Sequence, residues 1–171
     1  MAIRIEPLRR HHDRRAFSCG EPSLDDWFRN RASQDSRRDL AQVFVAVDDQ
    51  LGLVGFYSLS AFSLELEDLP EDLARKLPRY DAIPAALIGR LARDLGAQGR
   101  RIGDILIADA IDRVLAARER LGVYAIVVDA LSKKARDFYG TFGFVALPTR
   151  PDRLFLPTSV AMRARGGDGR R

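Results

Sequence analysis

The spacing of apolar residues changes period several times along the chain. Residues 2–6 alternate, with Ile3 and Ile5 on one face, which predicts a first strand. From Ser23 the period becomes helical. Leu24, Trp27, Phe28 and Ala32 form one stripe, Ser23 is placed to cap it, and Asp25 and Asp26 fall in the first turn, where the helix dipole favours acids. Val43 to Val47 is β-branched and aromatic and reads as a strand. Asp48-Asp49-Gln50 reads as a turn, and an extended stretch follows from Leu53 to Leu66. Pairing 43–47 with 53–60 gives an antiparallel hairpin.

Pro70 opens a short helix that stops before Pro78. Residues 85–92, AALIGRLA, read as a buried strand containing a glycine. The polar loop RDLGAQGRR leads into a helix from Ile102 to Leu121, with Ile107, Ile111, Val114 and Leu121 on one stripe and Gly122 as its stop. Residues 123–130 form a continuous apolar strand, and Ser132 caps a short helix carrying Phe138 and Tyr139. Phe144–Leu147 and Leu154–Met162 read as closing strands, the second broken at Pro157. This order predicts an α+β (mixed α/β) sheet with helices packed on it. The pattern alone names no function.

A chain of 171 residues that is 46% hydrophobic suits a single domain, read here as 1–163, followed by a basic tail at 164–171 that is polar, Gly-rich and expected to be disordered. No run of about 18 apolar residues predicts a membrane span, and MAIRIEPLRRHHDRR lacks the apolar segment of a signal peptide. The single cysteine, Cys19, has no internal disulfide partner. Together these predict a cytoplasmic protein. The net charge is +4, and arginine supplies 25 of the 28 basic residues. That bias fits an anionic partner or codon composition.

The chemistry concentrates in two places. In the first, LARDLGAQGRRIG, a strand feeds a glycine-containing loop that opens a long helix. Such a loop can aim backbone N–H groups at an anion, with the helix dipole adding to the field, and diphosphate is the natural ligand. An ordinary turn with solvated arginines is the alternative. The second place is Phe138-Tyr139. A phenol beside a thiolate leaving group can protonate it, and an aromatic pair packing a short helix is the alternative.

Gln98-Gly99-Arg100-Arg101-Ile102-Gly103 resembles the acyl-CoA-binding motif of the GNAT acetyltransferases, Q/R-x-x-G-x-G/A, with Arg101 where the motif has its middle glycine. Lys133 to Phe144 resembles the GNAT pattern A-x-x-F-Y-x-x-x-G-F. Four further features resemble the GNAT toxins of bacterial type II toxin–antitoxin systems. They are Phe17-Ser18-Cys19-Gly20 before a leucine-bearing helix, Gly55 to Ser60, Gly89 to Ala92, and Pro151 to Pro157.

The resemblance implies a GNAT fold, a twisted and mostly antiparallel sheet splayed at its centre with helices on both faces. It implies acetyl-CoA as donor substrate and no metal. Leu91, Ala92 and Arg93 would hold the pantetheine arm. Gln98, Gly99, Arg100, Arg101, Ile102 and Gly103 would hold the diphosphate, with Phe138 also at the cofactor and Tyr139 as general acid. It implies acetylation of the α-amino group of aminoacyl-tRNA, which blocks translation, a ribbon–helix–helix antitoxin as partner, and a homodimer. A GNAT enzyme acting on a small amine or protein N-terminus is one alternative. A degenerate, non-catalytic GNAT binding domain, suggested by Arg101, is another.

Other residues carry less. Cys19 reads as structural, and the adjacent His11 and His12 lack acidic company in the sequence. Asp48-Asp49 reads as a solvated turn. Arg90, a charge in an apolar strand, needs a partner, either a salt bridge or charged tRNA.

Overall fold

The computed structural model describes residues 2–166. Seven strands run in hydrogen-bonded order β1-β2-β3-β4-β5-β7-β6. They are β1 (Ile3–Pro7), β2 (Gln42–Asp48), β3 (Gly52–Leu64), β4 (Ile83–Arg93), β5 (Ala125–Asp129), β6 (Val145–Leu147) and β7 (Arg150–Pro157). The helices are α1 (Pro22–Asn30), α2 (Ala32–Arg37), α3 (Glu71–Ala74), α4 (Ile102–Ala117), α5 (Lys133–Gly140) and α6 (Thr158–Ala164). The β1–β2, β2–β3, β5–β7 and β6–β7 pairs are antiparallel. The mixed α/β class expected from the element order is the one observed. No helix among the described residues is long and apolar enough to cross a membrane.

The chain forms two compact units, Met1–Ser60 with Ile88–Ala110, and Ala61–Leu87 with Ile111–Arg171. In the first, alternation along the strands sorts two faces. Val43, Val45, Phe56 and Ala92 join Phe17, Trp27, Phe28 and Ala32 in one core, which covers one face with α1 and α2. Phe28 and Phe56 stack at 4.1 Å, and Phe17 meets both rings edge-on. The opposite face receives α4. A β-carbon on Gly55 would lie 2.9 Å from Leu106 Cδ1, 3.0 Å from Ile102 Cγ2 and 3.1 Å from the Ala92 main-chain oxygen. Two residues along the same face, the buried Tyr57 donates its hydroxyl to the Asp109 carboxylate on α4. The second unit has its own core, where Leu64, Ile83, Ala85, Ala125, Val127, Leu147 and Phe155 pack with Leu69.

Four local readings are corrected. Helix α1 starts one residue before Ser23, with Glu21 at its N-cap and Pro22 in its first turn, because proline's fixed φ already suits a helix start. The separate helix α2 was not foreseen. Asp48 is buried rather than solvated, and its carboxylate accepts the amides of Gln50 and Leu51 at 2.8 and 3.0 Å. Residues after Pro157 form α6 instead of continuing a strand. Thr158 and Ala161 lie on its buried side, and the Thr158 hydroxyl donates to the Val123 main-chain oxygen at 2.8 Å. Helix α6 reaches Ala164, inside the segment read as a tail, and the remainder of that tail, 167–171, lies outside the described residues.

Gly55→Ala should destabilise the fold by about 1–3 kcal/mol, since the added methyl meets a backbone oxygen that cannot step aside. Gly99→Ala, with open space but φ +83°, should cost about 1 kcal/mol, through backbone strain alone. Urea unfolding of both variants checks the order, and a Gly55 variant as stable as wild type would refute the close contact.

Candidate active site

The loop of the first unit is built by capping. Asp94, the residue after β4, accepts the amides of Gly96 at 2.8 Å and Ser18 at 2.9 Å, which folds Leu95–Ala97 into a single 3-10 turn. The D-x-G spacing was the available sequence signal for this turn. Ala97 and Ile102 are fully buried, and residues 98–101 between them are exposed. The loop therefore stands out from two fixed anchors.

Gly99 has φ +83° and Arg101 φ +58°, both in the left-handed region. The arginine thus keeps the conformation for which glycine is favoured, without its freedom from strain. Its side chain points outward, 82% exposed, and is held by Asp104 at 2.7–2.8 Å. Helix α4 begins at once, and its first-turn amides have no intrahelical acceptor. These amides, those of Ile102 and Gly103 among them, can bind an anion. Upstream on β4, Ala92 is buried, and Leu91 and Arg93 are half-buried. The Arg93 Nε is enclosed with no hydrogen-bond partner among the described residues. A ligand oxygen would satisfy it, so the donor set fits a phosphorylated acyl carrier.

Arg90 finds no carboxylate within salt-bridge distance among the described residues. Its guanidinium lies 4.2 Å from the Trp27 ring centre, and the Trp27 indole N–H donates to Asp35 at 2.9 Å. Its amide donates to the Ser58 hydroxyl at 3.1 Å. Stacking on Trp27 was not legible in the sequence, because the two residues are 63 positions apart.

Tyr139 and Phe138 belong to the second unit. Ser132 caps α5 by accepting the Ala135 amide at 3.1 Å, and the helix carries Tyr139 inward to 8% exposure. Its ring meets Phe138 edge-on at 5.2 Å and Phe144 at 5.8 Å. The half-buried Phe138 also meets Phe142, at 5.4 Å. Burial pushes the Tyr139 phenol up to about 12, and the Asp129 charge adds to the shift. Asp129 is itself held by Arg153 through two bonds of 2.7 and 3.0 Å. The Tyr139 hydroxyl has no hydrogen-bond partner among the described residues, so its proton is available to a ligand.

The remaining candidates are placed as follows. Burial pushes the Cys19 thiol up to about 11, far from a thiolate nucleophile at neutral pH, and its amide donates to Asp25. His11 and His12 do have acidic company, since Glu6 of β1 brings its carboxylate within 4.8 Å of both. However, His12 Nδ1 accepts the Arg9 amide at 2.8 Å, which leaves Nε2 to donate to Glu6 at 2.7 Å. That tautomer already commits both ring nitrogens, including the one nearest Glu6.

No family model matches the chain. A curated "tRNA-acetylating toxin" of Mycobacterium tuberculosis is 42% identical over 141 residues, covering 82% of this chain and 83% of its own. A "Probable toxin TacT" of Sinorhizobium fredii is 34% identical over 165 residues, 91% of each chain. The structure of AtaT complexed with acetyl-methionyl-tRNAfMet matches with a TM-score of 0.88 at 28% identity, covering 96% of this chain and 99% of AtaT. The chain belongs to the GNAT toxins of toxin–antitoxin systems. As a GNAT toxin it is an acetyl-CoA-dependent N-acetyltransferase.

In this GNAT toxin, Arg101→Gly should raise stability by about 1 kcal/mol. Relief of the left-handed strain outweighs an exposed ion pair worth a few tenths. Equilibrium unfolding checks this, and a loss of stability would mean that the Asp104 contact outweighs the strain.

Proposed function

We infer that this chain transfers the acetyl group of acetyl-CoA to the α-amino group of an amino acid esterified to tRNA, and thereby stops translation. In the structure, the observation that carries the reading is Tyr139, a buried phenol kept protonated by its surroundings with an unengaged hydroxyl. The likeness to a tRNA-acetylating toxin over 82% of the chain supplies the acceptor.

Acetyl-CoA supplies an activated thioester. The loop Gln98–Gly103 holds its diphosphate on the first-turn amides of α4, with Arg100 and Arg101 adding positive charge. Leu91, Ala92 and Arg93 offer main-chain groups to the pantetheine arm, and Phe138 borders it. Arg90 contacts the RNA. A free α-amine has a reference pKa of about 7.7–8.0. The ester lowers it, so much of the amine is neutral near pH 7.5 and needs no strong base. It attacks the thioester carbonyl, the C–S bond breaks as the amide forms, and Tyr139 gives its proton to the departing sulfur, while the proton lost by the amine nitrogen passes to water and restores the phenol. Residues 1–163 serve as one catalytic domain.

A mutant of the AtaT toxin has been solved bound to the C-terminus of the antitoxin AtaR and to acetyl-CoA, and KacTA in complex with DNA. By the same logic an antitoxin, of the ribbon–helix–helix type, restrains this chain. The toxin works as a homodimer in the cytoplasm, where charged tRNA is found. The binding-only alternative rested on Arg101, and the left-handed φ there preserves the loop's turn. Labelled acetyl-CoA offered with charged tRNA or with small amines tests the acceptor. Label transferred only to small amines would overturn the tRNA reading.

Tyr139→Phe should lower the single-turnover rate about 10²–10⁴-fold while leaving the melting temperature and the acetyl-CoA-induced shift near wild type. A rate within about threefold of wild type would remove Tyr139 from the chemistry.

The pH dependence follows from the direction of the Tyr139 shift. The donating form exists below a pKa raised to about 12, so it is fully present across the physiological range. The rate should rise with pH as the amine deprotonates, then stay level to about pH 9.5. A descending limb below that pH, absent from Tyr139→Phe, would contradict the burial of the phenol.

A further inference from the structure

We propose that Arg153 is a positioning residue for acetyl transfer, which clamps Asp129 and offsets its charge so that the Tyr139 phenol can release its proton. Asp129 ends β5 and pairs with Arg153 of β7 directly across the antiparallel strands. The guanidinium holds the carboxylate with Nε at 2.7 Å and Nη2 at 3.0 Å, one bond to each oxygen. It also lies over the Phe62 ring, with Cζ 4.9 Å from the ring centre. Arg153 keeps 17% of its side chain exposed and Asp129 40%. A fork on a carboxylate combined with an aromatic face is a grip that arginine makes and lysine does not.

The same end of these strands is tied to the helix that carries Tyr139. The Ala130 amide, next to Asp129, donates to the Asp152 main-chain oxygen at 2.8 Å. The Asp152 carboxylate accepts Arg136 of α5 at 3.0 Å, and Arg136 lies three residues before Tyr139. Asp152 thus has an arginine of its own. Asp129 is the charged group that acts on the Tyr139 phenol, after burial, and Arg153 is the cation that answers it. Asp68 also favours the charged form of Arg153.

Proton donation turns a buried phenol toward phenolate, and a bare carboxylate nearby opposes that charge. A guanidinium bonded to both carboxylate oxygens offsets most of the opposition. The proton from Tyr139 ends on the CoA sulfur as the C–S bond breaks, and the proton lost by the amine passes to water and restores the phenol. Arg153 gains and loses no proton. It acts through the acidity of Tyr139, and therefore on the rate of transfer rather than on the binding of acetyl-CoA. The inference rests on the reading of Tyr139 as proton donor.

The test is single-turnover acetyl transfer by the full chain with charged tRNA across an acetyl-CoA series. A nearby charge moves a pKa by about 1–3, part of which enters the rate of proton transfer, and solvent at Asp129 weakens the effect. Arg153→Gln should lower the rate at saturating acetyl-CoA at least about threefold, with the half-saturating concentration and the melting temperature near wild type. Arg153→Met, which keeps an aliphatic stem against Phe62, serves if the glutamine impairs folding. Arg153→Lys keeps the charge and loses the fork, and D129N/R153Q removes both charges, so each should recover most of the rate. On a Tyr139→Phe background, Arg153→Gln should cost nothing more, because the donor it serves is gone. A smaller loss in Arg153→Gln, no recovery in D129N/R153Q, or the same loss on the Tyr139→Phe background would overturn the proposal. Tyr139→Phe at the wild-type rate would remove the donor reading and this proposal with it. A slow Tyr139→Phe beside an Arg153→Gln at the wild-type rate would remove this proposal alone.

Discussion

The absence of a side chain at Gly55 is what lets α4 sit directly on β3. Ile102 and Leu106 occupy the space a β-carbon would need, at 2.9–3.0 Å. Tyr57 then fixes the rotation of the helix by bonding Asp109, nearly two turns further along. A helix has one free rotation about its axis and one translation along it, and these two contacts remove both. Its first-turn amides are consequently held in a fixed direction. An amide array binds an anion well only if it is already oriented before the anion arrives. Ala97 and Ile102, both fully buried, hold the exposed loop residues from either side.

Strain enters at one place in that loop. Arg101 adopts a left-handed backbone where glycine would be comfortable, and Asp104 returns little, because the pair is exposed. Non-glycine residues in this conformation persist where the surrounding structure over-determines them, and they cluster at functional sites. The buried neighbours Ala97 and Ile102 supply the over-determination. A departure from the family motif thus changes the side chain and the local energy, and keeps the turn.

Charge is managed differently in the two units. In the second, Arg153 takes Asp129 through two bonds, so burial is the leading influence on the Tyr139 phenol and the carboxylate is secondary. In the first, Arg14 and Arg29 are held by carbonyl oxygens and Arg90 by an aromatic face. These partners orient a cation without neutralising it, although the charges of Asp25 and Asp35 act on Arg29 and Arg90. A carboxylate at the same positions would fix the side chains equally well and abolish the positive field. Arginine suits this use because its planar fork both stacks and donates in several directions.

The sequence by itself determined most of the elements, since the apolar period and the punctuating prolines and glycines are local signals. It placed the hairpin of β2 and β3, the strand–loop–helix at residues 91–103 and the Ser132 cap, and the motif residues carried the family. Local signals misled where two rules competed. Pro22 overrode Ser23 at the start of α1, and the helical spacing of Thr158 and Ala161 was hidden behind the apolar run of β7. What only the tertiary structure decided were the relations between distant residues. The ring beneath Arg90, the acid beside Tyr57, the Glu6 company of His12 and the gathering of Arg10, Arg14, Arg29 and Arg37 into one groove are all of this kind. None has a sequence spacing to betray it. An arginine-rich composition reads alike whether its charges are scattered or convergent, and the folded chain determines which of them share a field.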